Sequence, residues 1–437
     1  MRPKVIIVLT ALTFTFAVPA AELTIIYTGP TDGILQDCGC HELAVGGVAA
    51  RAAIIKQLKS KYPDAIVVDI GDILPPREGP QTELKAKYAL KIYSLLGYDA
   101  VNLGDGDFSY GPAYVAEFRD RYGIAAFSSV LKNPDEYGLE PYVILERDRL
   151  TIGLAGTFHA DLYDGSGELR TEDVRDPKDA AKTVLKELGK KADVRILIAH
   201  AGTPNQCRVF AEKLKGLADV VVAGGGYGLV HGGLDADGTH VAFSPLRGRY
   251  VGLLNIELDE EGEVISVKDE LIPITLGAPR DDAVLEYMEE YYVNLRKLVN
   301  EESLLAAPEA PTPEGFDYAG SSGCTACHVG PYEQWSKTGH ARAYETLVEV
   351  GRWFDPECVE CHVTGYGYVG GFVSAEETPD RTGVGCESCH GPGAGHPGRT
   401  TPFSPIAEER CLKCHTERNS PDFVYEEYLG PTVHYTE

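Results

Sequence analysis

Ala65-Ile66-Val67-Val68-Asp69-Ile70-Gly71-Asp72 is an apolar run that stops on Gly-Asp, and Ala100-Val101-Asn102-Leu103 stops the same way on Gly104-Asp105. Between them, Thr82–Leu96 has helical periodicity. Strands apolar on both faces, joined by an amphipathic helix, belong in a sheet covered on both sides. The pattern extends outward. Upstream lie a strand at Leu23–Tyr27 and a helix at Val48–Lys61, with Ile54, Ile55 and Leu58 on one side. Downstream come a strand at Ile124–Ser128, a hairpin over Tyr142–Leu154, a helix at Asp179–Lys190 and a strand at Arg195–His200. A helix at Asn205–Leu217 and a strand at Asp219–Ala223 follow. Tyr250–Leu258 and Val264–Ile274 alternate in period two around Asp259-Glu260-Glu261-Gly262, an antiparallel hairpin, and Asp281–Val299 is a last helix. The reading is an α/β domain over residues 22–300.

Residues 301–322 are rich in Ala, Pro, Ser and Gly and read as a linker. From 323 to 437 the texture changes to short segments, many glycines and a recurring cysteine motif, as in a mostly helical, loop-rich domain packed around prosthetic groups. The chain has 11 cysteines and 2 methionines. Eight cysteines fall in four Cys-x-x-Cys-His segments: Cys324–His328, Cys358–His362, Cys386–His390 and Cys411–His415. Two cysteines three apart lie about one helical turn apart, so both can form thioethers to one haem while the next histidine presents its imidazole to iron. Zinc also binds paired Cys-x-x-Cys but requires no histidine directly after the second cysteine. The segments therefore predict four haem c groups, attached through Cys324, Cys327, Cys358, Cys361, Cys386, Cys389, Cys411 and Cys414. The proximal ligands are His328, His362, His390 and His415. Met288 is the one methionine beyond the first residue and lies outside this region, which argues against histidine–methionine ligation. His340, His396 and His434 are the distal candidates; three histidines for four irons leave one iron open, water-ligated or ligated from elsewhere.

The residues between the motifs carry a resemblance. Gly330-Pro331-Tyr332-Glu333-Gln334-Trp335-Ser336-Lys337-Thr338-Gly339-His340-Ala341 after Cys324–His328 resembles the opening of the tetrahaem cytochrome c-554 family. So do Val363-Thr364-Gly365-Tyr366 after Cys358–His362, and Gly391-Pro392-Gly393-Ala394-Gly395-His396 after Cys386–His390. The likeness covers roughly Gly323 to His415 and implies distal-ligand roles for His340 and His396. The family includes one five-coordinate haem, in agreement with the count of histidines.

Residues 22–300 resemble the metallophosphatase domain of periplasmic 5′-nucleotidases and UDP-sugar hydrolases. The likeness rests on Leu23–Tyr27, Gly46-Gly47 with Arg51, Val68–Asp72, Gly97-Tyr98-Asp99-Ala100, Leu103-Gly104, Ile196–His200 and Gly248-Arg249-Tyr250-Val251-Gly252. It implies a four-layer α/β/β/α sandwich in which carboxylates and histidines hold two divalent metals at the strand ends. Here Asp72 and His200 match, but the family's Asp-x-His is Pro30-Thr31-Asp32, and its Gly-Asn-His-Glu is Gly104-Asp105-Gly106-Asp107. Its Gly-His-x-His has become Gly224-Gly225-Gly226-Tyr227-Gly228. Proline cannot coordinate a metal, and tyrosine and glycine do not replace imidazole. The expectation is a scaffold with a vestigial cleft (Asp32, Asp72, Asp105, His200) and no bound divalent metal, His231 and His159 being the remaining candidates for a single-metal site. Gly224–Gly228 lacks a following helix and a Gly-Lys-Ser/Thr, so it reads as a tight turn and not a phosphate loop.

Cys38-Gly39-Cys40-His41 follows the first strand, close to that cleft. Exported proteins resembling 5′-nucleotidases carry such a Cys-Gly-Cys, which implies thiol redox chemistry at Cys38 and Cys40; a static disulfide or a structural metal site is the alternative. The spacing is one residue short for a haem. Cys207, in an amphipathic helix, reads as a buried free thiol.

Arg2 and Lys4 precede an apolar run, Val5–Val18, and the small residues Pro19-Ala20-Ala21. This predicts a signal peptide over residues 1–21 and an exported, periplasmic or extracellular protein; the run is too short to span a bilayer, and no integral membrane segment is expected. A composition of 43% hydrophobic and 24% charged residues excludes wholesale disorder. Forty Lys and Arg against 66 Asp and Glu, a formal charge of −26, argue against nucleic acid and favour basic redox partners. The leading reading is an electron-transfer cytochrome on a metallophosphatase-like scaffold. The rivals are a metal-dependent phosphoesterase, a haem or thiol reductase, and a self-associating subunit of a stacked haem assembly.

Overall fold

The computed structural model describes residues 21–36, 46–158, 169–301, 310–312, 317–394, 406–416, 419–420 and 423–434. Cys38, Cys40, His41, His159 and His396 lie outside the described residues, as does the expected signal peptide apart from Ala21. The described residues divide into two compact units. One holds residues up to 36, 46–77 and 89–284; the other holds 78–88 and everything from 285 onward. The units thus do not follow a linear partition at residues 300–323.

The first unit is built in chain order from β1 (Ala21–Thr28), α1 (Val48–Lys61), β2 (Ile66–Asp69), α2 (Pro80–Leu96), β3 (Ala100–Asn102), α3 (Pro112–Asp120) and β4 (Ala126–Phe127). Then come β5 (Tyr142–Arg147), β6 (Leu150–Phe158), α4 (Pro177–Leu188), β7 (Val194–Gly202), α5 (Pro204–Glu212) and β8 (Val220–Gly225). The series ends with β9 (Leu234–Ala236), β10 (Thr239–Ser244), β11 (Tyr250–Leu258) and β12 (Val264–Pro273); α6 (Asp282–Glu301) follows and belongs to the second unit from residue 285 onward, as do residues 80–88 of α2. Two six-stranded mixed sheets result, ordered β12-β11-β1-β2-β3-β4 and β5-β6-β7-β8-β10-β9.

The doubly apolar strands have a direct explanation. Leu23, Ile25 and Tyr27 of β1 and Ile66 and Val68 of β2 share one buried cluster with Ile196 and Ile198 of β7 and Val220 and Val222 of β8. The alternate residues Leu197, Ala199, Val221 and Ala223 point the other way, onto Val184, Leu185 and Leu188 of α4 and Phe210 and Ala211 of α5. The central strands β7 and β8 are therefore buried twice, once between the sheets and once beneath helices, as in a sandwich of two sheets with helices outside. Cys207 is fully buried in the helix layer, a free thiol as its setting in α5 suggested.

One buried ion pair sits under the first sheet. Arg51 of α1 reaches Asp69 at 3.5 Å, donates to Tyr93 OH at 3.0 Å and to the Gly29 carbonyl at 3.2 Å, with both charged side chains wholly shielded. Burial pushes the Asp69 carboxyl up to about 6 although Arg51 and Thr28 oppose it. Gly248, at φ 57°, closes over this guanidinium so tightly that a Cβ there would stand 1.9 Å from Arg51 Nη2.

The second unit is built from short helices: α7 (Val329–Trp335), α8 (Ala343–Glu349), α9 (Pro356–His362), α10 (Cys386–His390), α11 (Glu408–Cys411) and α12 (Tyr425–Leu429). Its side-chain core is small, a cluster of Tyr344, Leu347, Val359, Val363 and Phe372. Meanwhile Val329, Val348, Val350 and Val433 are each more than half exposed. Stretches read as linker are bonded into this unit. Glu387, 4% exposed, accepts from the backbone N–H of Ala319 (2.7 Å), Gly320 (2.8 Å) and Gly393 (2.6 Å), tying residues 319–320 onto α10.

Candidate functional site

Each Cys-x-x-Cys-His segment forms a helical turn. In the first, His328 N–H donates to Cys324 O at 3.0 Å; in the fourth, His415 N–H donates to Cys411 O at 2.8 Å. The second and third segments lie in α9 and α10. None of the eight cysteines of the motifs is in a disulfide, and they approach one another across motifs. Cys324 lies within electrostatic reach of Cys386, Cys389 of Cys411, and Cys361 of Cys414. The attachment sites therefore follow one another in the order first, third, fourth, second.

The histidines pair as well. His340 and His415 have ring centroids 6.1 Å apart, and His390 and His434 have theirs 6.0 Å apart. With metal–imidazole bonds of about 2 Å, two rings on opposite sides of one metal have centroids roughly 6 Å apart. His340 is positioned by its carbonyl, which accepts from Val384 N–H at 2.9 Å; His434 follows Val433, whose carbonyl accepts from Gln334 Nε2 at 2.9 Å. His362 Nδ1 lies 2.6 Å from the Ala343 carbonyl, and His415 Nδ1 lies 3.2 Å from Ser420 Oγ. An Nδ1–H held in this way leaves Nε2 for a metal. His434 Nδ1 is buried without a hydrogen bond. Paired thiols, oriented imidazoles and a side-chain core too small for the unit fit covalently bound haem.

The second cluster lies at the strand ends of the first unit. Gly71 and Asp72 follow β2, Gly104 and Asp105 follow β3, and His200 stands on β7. One donor atom from each of Asp72, Asp105 and His200 lies within 4.8 Å of the others. His200 Nδ1 is 3.1 Å from Asp105 Oδ1, while Nε2 is 3.2 Å from Asp72 Oδ2, buried and without a hydrogen bond. Burial disfavours the imidazolium, but Asp72, Asp105 and Asp32 outweigh it and push His200 up to about 9. The Asp72 carboxyl is driven well up by burial, and Asp105, Asp107 and Asp32 add to the effect against His200. The backbone packs close: a Cβ on Gly225 (φ 101°) would lie 2.2 Å from His200 Cδ2. So three of the four residues taken as vestiges meet, with Asp32 facing them. Two carboxylates, an imidazole and an orphaned buried nitrogen fit a single divalent cation. His231 is exposed and is not among these donors.

Sequence reasoning missed the part played by Asp107. Its carboxylate, fully buried, accepts from four backbone amides: Asp72 at 2.8 Å, Ile73 at 2.9 Å, and Leu74 and Gly104 at 3.0 Å. It locks the β2 and β3 loops together and so places Asp72 and Asp105. The signal available was its spacing, two residues after Asp105 in the second Gly-Asp loop.

Comparison with known proteins finds different relatives for the two parts of the chain. Residues 323–391 match the family model for cytochrome c554 and c-prime. Cytochrome c-554 of Nitrosomonas europaea is 33% identical over 22% of this chain and 57% of its own length. Snake venom 5′-nucleotidase of Naja atra is 26% identical over 64% of this chain and 59% of its own. The trifunctional nucleotide phosphoesterase YfkN of Bacillus subtilis is 23% identical over 64% of this chain and 21% of its own. The chain thus spans less than two thirds of each of these relatives. In structure, the 5′-nucleotidase precursor of Thermus thermophilus superposes with a TM-score of 0.53 at 18% identity, covering 67% of this chain and 62% of its own. The calcineurin-like phosphoesterase YfkN does so with 0.53 at 21%, covering 62% and 97%. The C-terminal region carries a cytochrome c554-type domain, and the N-terminal region is 5′-nucleotidase- and metallophosphatase-like. Among the described residues no helix is long and apolar enough to cross a membrane.

Proposed function

We propose that this chain is a multihaem electron-transfer cytochrome of an exported type, carried on a metallophosphatase-like scaffold, with four haems on its four Cys-x-x-Cys-His segments. Each haem, when bound, supplies an iron that takes up and releases one electron. The observation that carries the reading is the linked array of attachment cysteines together with the two histidine pairs. His340 and His415 hold one iron between them, and His390 and His434 hold another. His328 and His362 remain, with His396 as the third distal candidate, so one iron keeps an open position. In this reading the array runs His328, His390, His415, His362, with the first and second attachment sites at its two ends; the approach of the cysteines of these motifs supports that order. The −26 charge favours a basic partner and makes electron exchange faster at low salt. Purified protein should contain four haems per chain, and its oxidised paramagnetic resonance spectrum should show low-spin signals with one high-spin component. Four low-spin haems and no high-spin signal would refute the open iron.

A second reading rests on Asp72, Asp105 and His200. Their approach favours one divalent cation in the cleft, held with carboxylate Asp32 nearby. Calorimetric titration with Mn²⁺ or Zn²⁺ should give one site per chain, weakened at least tenfold by Asp72→Asn. Wild-type protein that takes up no cation leaves the cleft a scaffold element, as the loss of the family's histidines suggests.

A further inference from the structure

α9 carries Cys358, Cys361 and His362, and its N-cap is Asp355, a carboxylate only 5% exposed. Asp355 stands three residues before Cys358, about one helical turn or ~5 Å of axis. Both hydrogen bonds it accepts end on Oδ1, from Gln81 Nε2 at 2.7 Å and from Glu357 N–H at 3.1 Å. Oδ2 is left to carry a proton.

The groups that face Asp355 come from α2, α6 and the turns flanking α9, while α8 packs on the opposite part of the helix through Leu347 and Val359. From α2 come Gln81 and Lys85, and Lys85 is ion-paired with Glu357. From α6 come the phenols of Tyr291, buried, and Tyr292, half-buried, both within electrostatic reach of Asp355. Arg352, in the preceding turn, lies 3.3 Å over the Tyr292 ring. Tyr366 and Cys358 also lie within electrostatic reach of Asp355. Glu357, with 41% of its side chain exposed, connects the cluster to solvent. Burial raises the Asp355 carboxyl and Glu357 adds to it, against Lys85 and Gln81.

We propose that Asp355 is a redox-linked proton site: reduction of the haem carried by α9 draws a proton from solvent onto Asp355 Oδ2, and reoxidation returns it. This rests on the haem reading above. The balance is one electron from an external one-electron donor to ferric iron and one proton from water to the carboxylate. The site loses a positive charge at iron and gains one at Asp355. The sign follows, because the ferrous site repels a proton less than the ferric site, so Asp355 binds its proton more tightly after reduction. Between the two proton affinities the potential falls as pH rises, by about 59 mV per tenfold change in proton concentration for a one-electron couple.

Spectroelectrochemical titration of the holoprotein with a mediated electrode, between pH 5 and 9, tests this. One of the four haem transitions should show the slope, and Asp355→Asn, which keeps the N-cap and the Gln81 bond, should flatten it. A slope that survives Asp355→Asn, or four wild-type transitions that ignore pH, overturns the proposal alone; a chain without redox-active haem overturns the cytochrome reading with it. Should Asp355→Asn fail to fold, Lys85→Met carries the test. Removing that cation must move the sloping window to higher pH, and an unmoved window overturns the proposal.

Discussion

Asp107→Ala is expected to destabilise the α/β unit by about 4 kcal/mol, since four buried amides lose their acceptor and each unsatisfied donor costs roughly 1–3 kcal/mol before relaxation. Losses of that size come from a short list of mechanisms, and breaking a buried hydrogen-bond hub is one of them. The damage should reach the cleft, because Asp72 and Gly104 both donate their N–H groups to this carboxylate. Asp72 in turn accepts from Gly106 N–H at 2.9 Å. Asp107→Asn keeps one oxygen for two of the amides but sets an NH₂ against the other two, so roughly half the loss is expected. Urea unfolding followed by far-ultraviolet circular dichroism reads both. A midpoint unchanged in Asp107→Ala would show that the two loops are held by something other than this carboxylate.

That residue also marks where sequence reading stops. Strands such as Ile196–Leu197–Ile198–Ala199 announce themselves, since burial on both faces leaves no polar position to interrupt the run. The β11–β12 hairpin was legible for the opposite reason, one face being wet. The short pair β9 and β10 was not, because Thr239–Ser244 owes its place to parallel pairing with β8 in an otherwise glycine-rich stretch. Cys-x-x-Cys-His is local chemistry and can be read from spacing alone. Asp107 and Glu387 each satisfy backbone amides that become neighbours only in the fold, so their residue types looked like a degraded motif and a spacer. The same limit applies to the histidines. Counting leaves three spare histidines for four motifs, but only the fold brings the ring of His340 beside His415 and that of His434 beside His390.

His340→Ala should therefore change one haem and leave the others in place. The imidazole lost is the one facing His415, so one of the three low-spin haems, about a third of the low-spin intensity in the oxidised spectrum, is expected to move to a high-spin signal. The attachment cysteines Cys411 and Cys414 are untouched, so haem content per chain should stay at the wild-type value. His340→Met keeps a sixth donor but replaces imidazole by thioether, which raises the potential of that haem, on the order of 0.1 V within the ~0.8 V that axial ligands span. His434→Ala makes the matching change at the His390 iron, and its altered transition must differ in potential from the one changed by His340→Ala. In the double variant the two high-spin signals should add, because the two pairs share no ligand. Two variants that perturb the same transition, or a His340→Ala protein with all its low-spin intensity, would show that the 6.1 Å pair does not hold an iron.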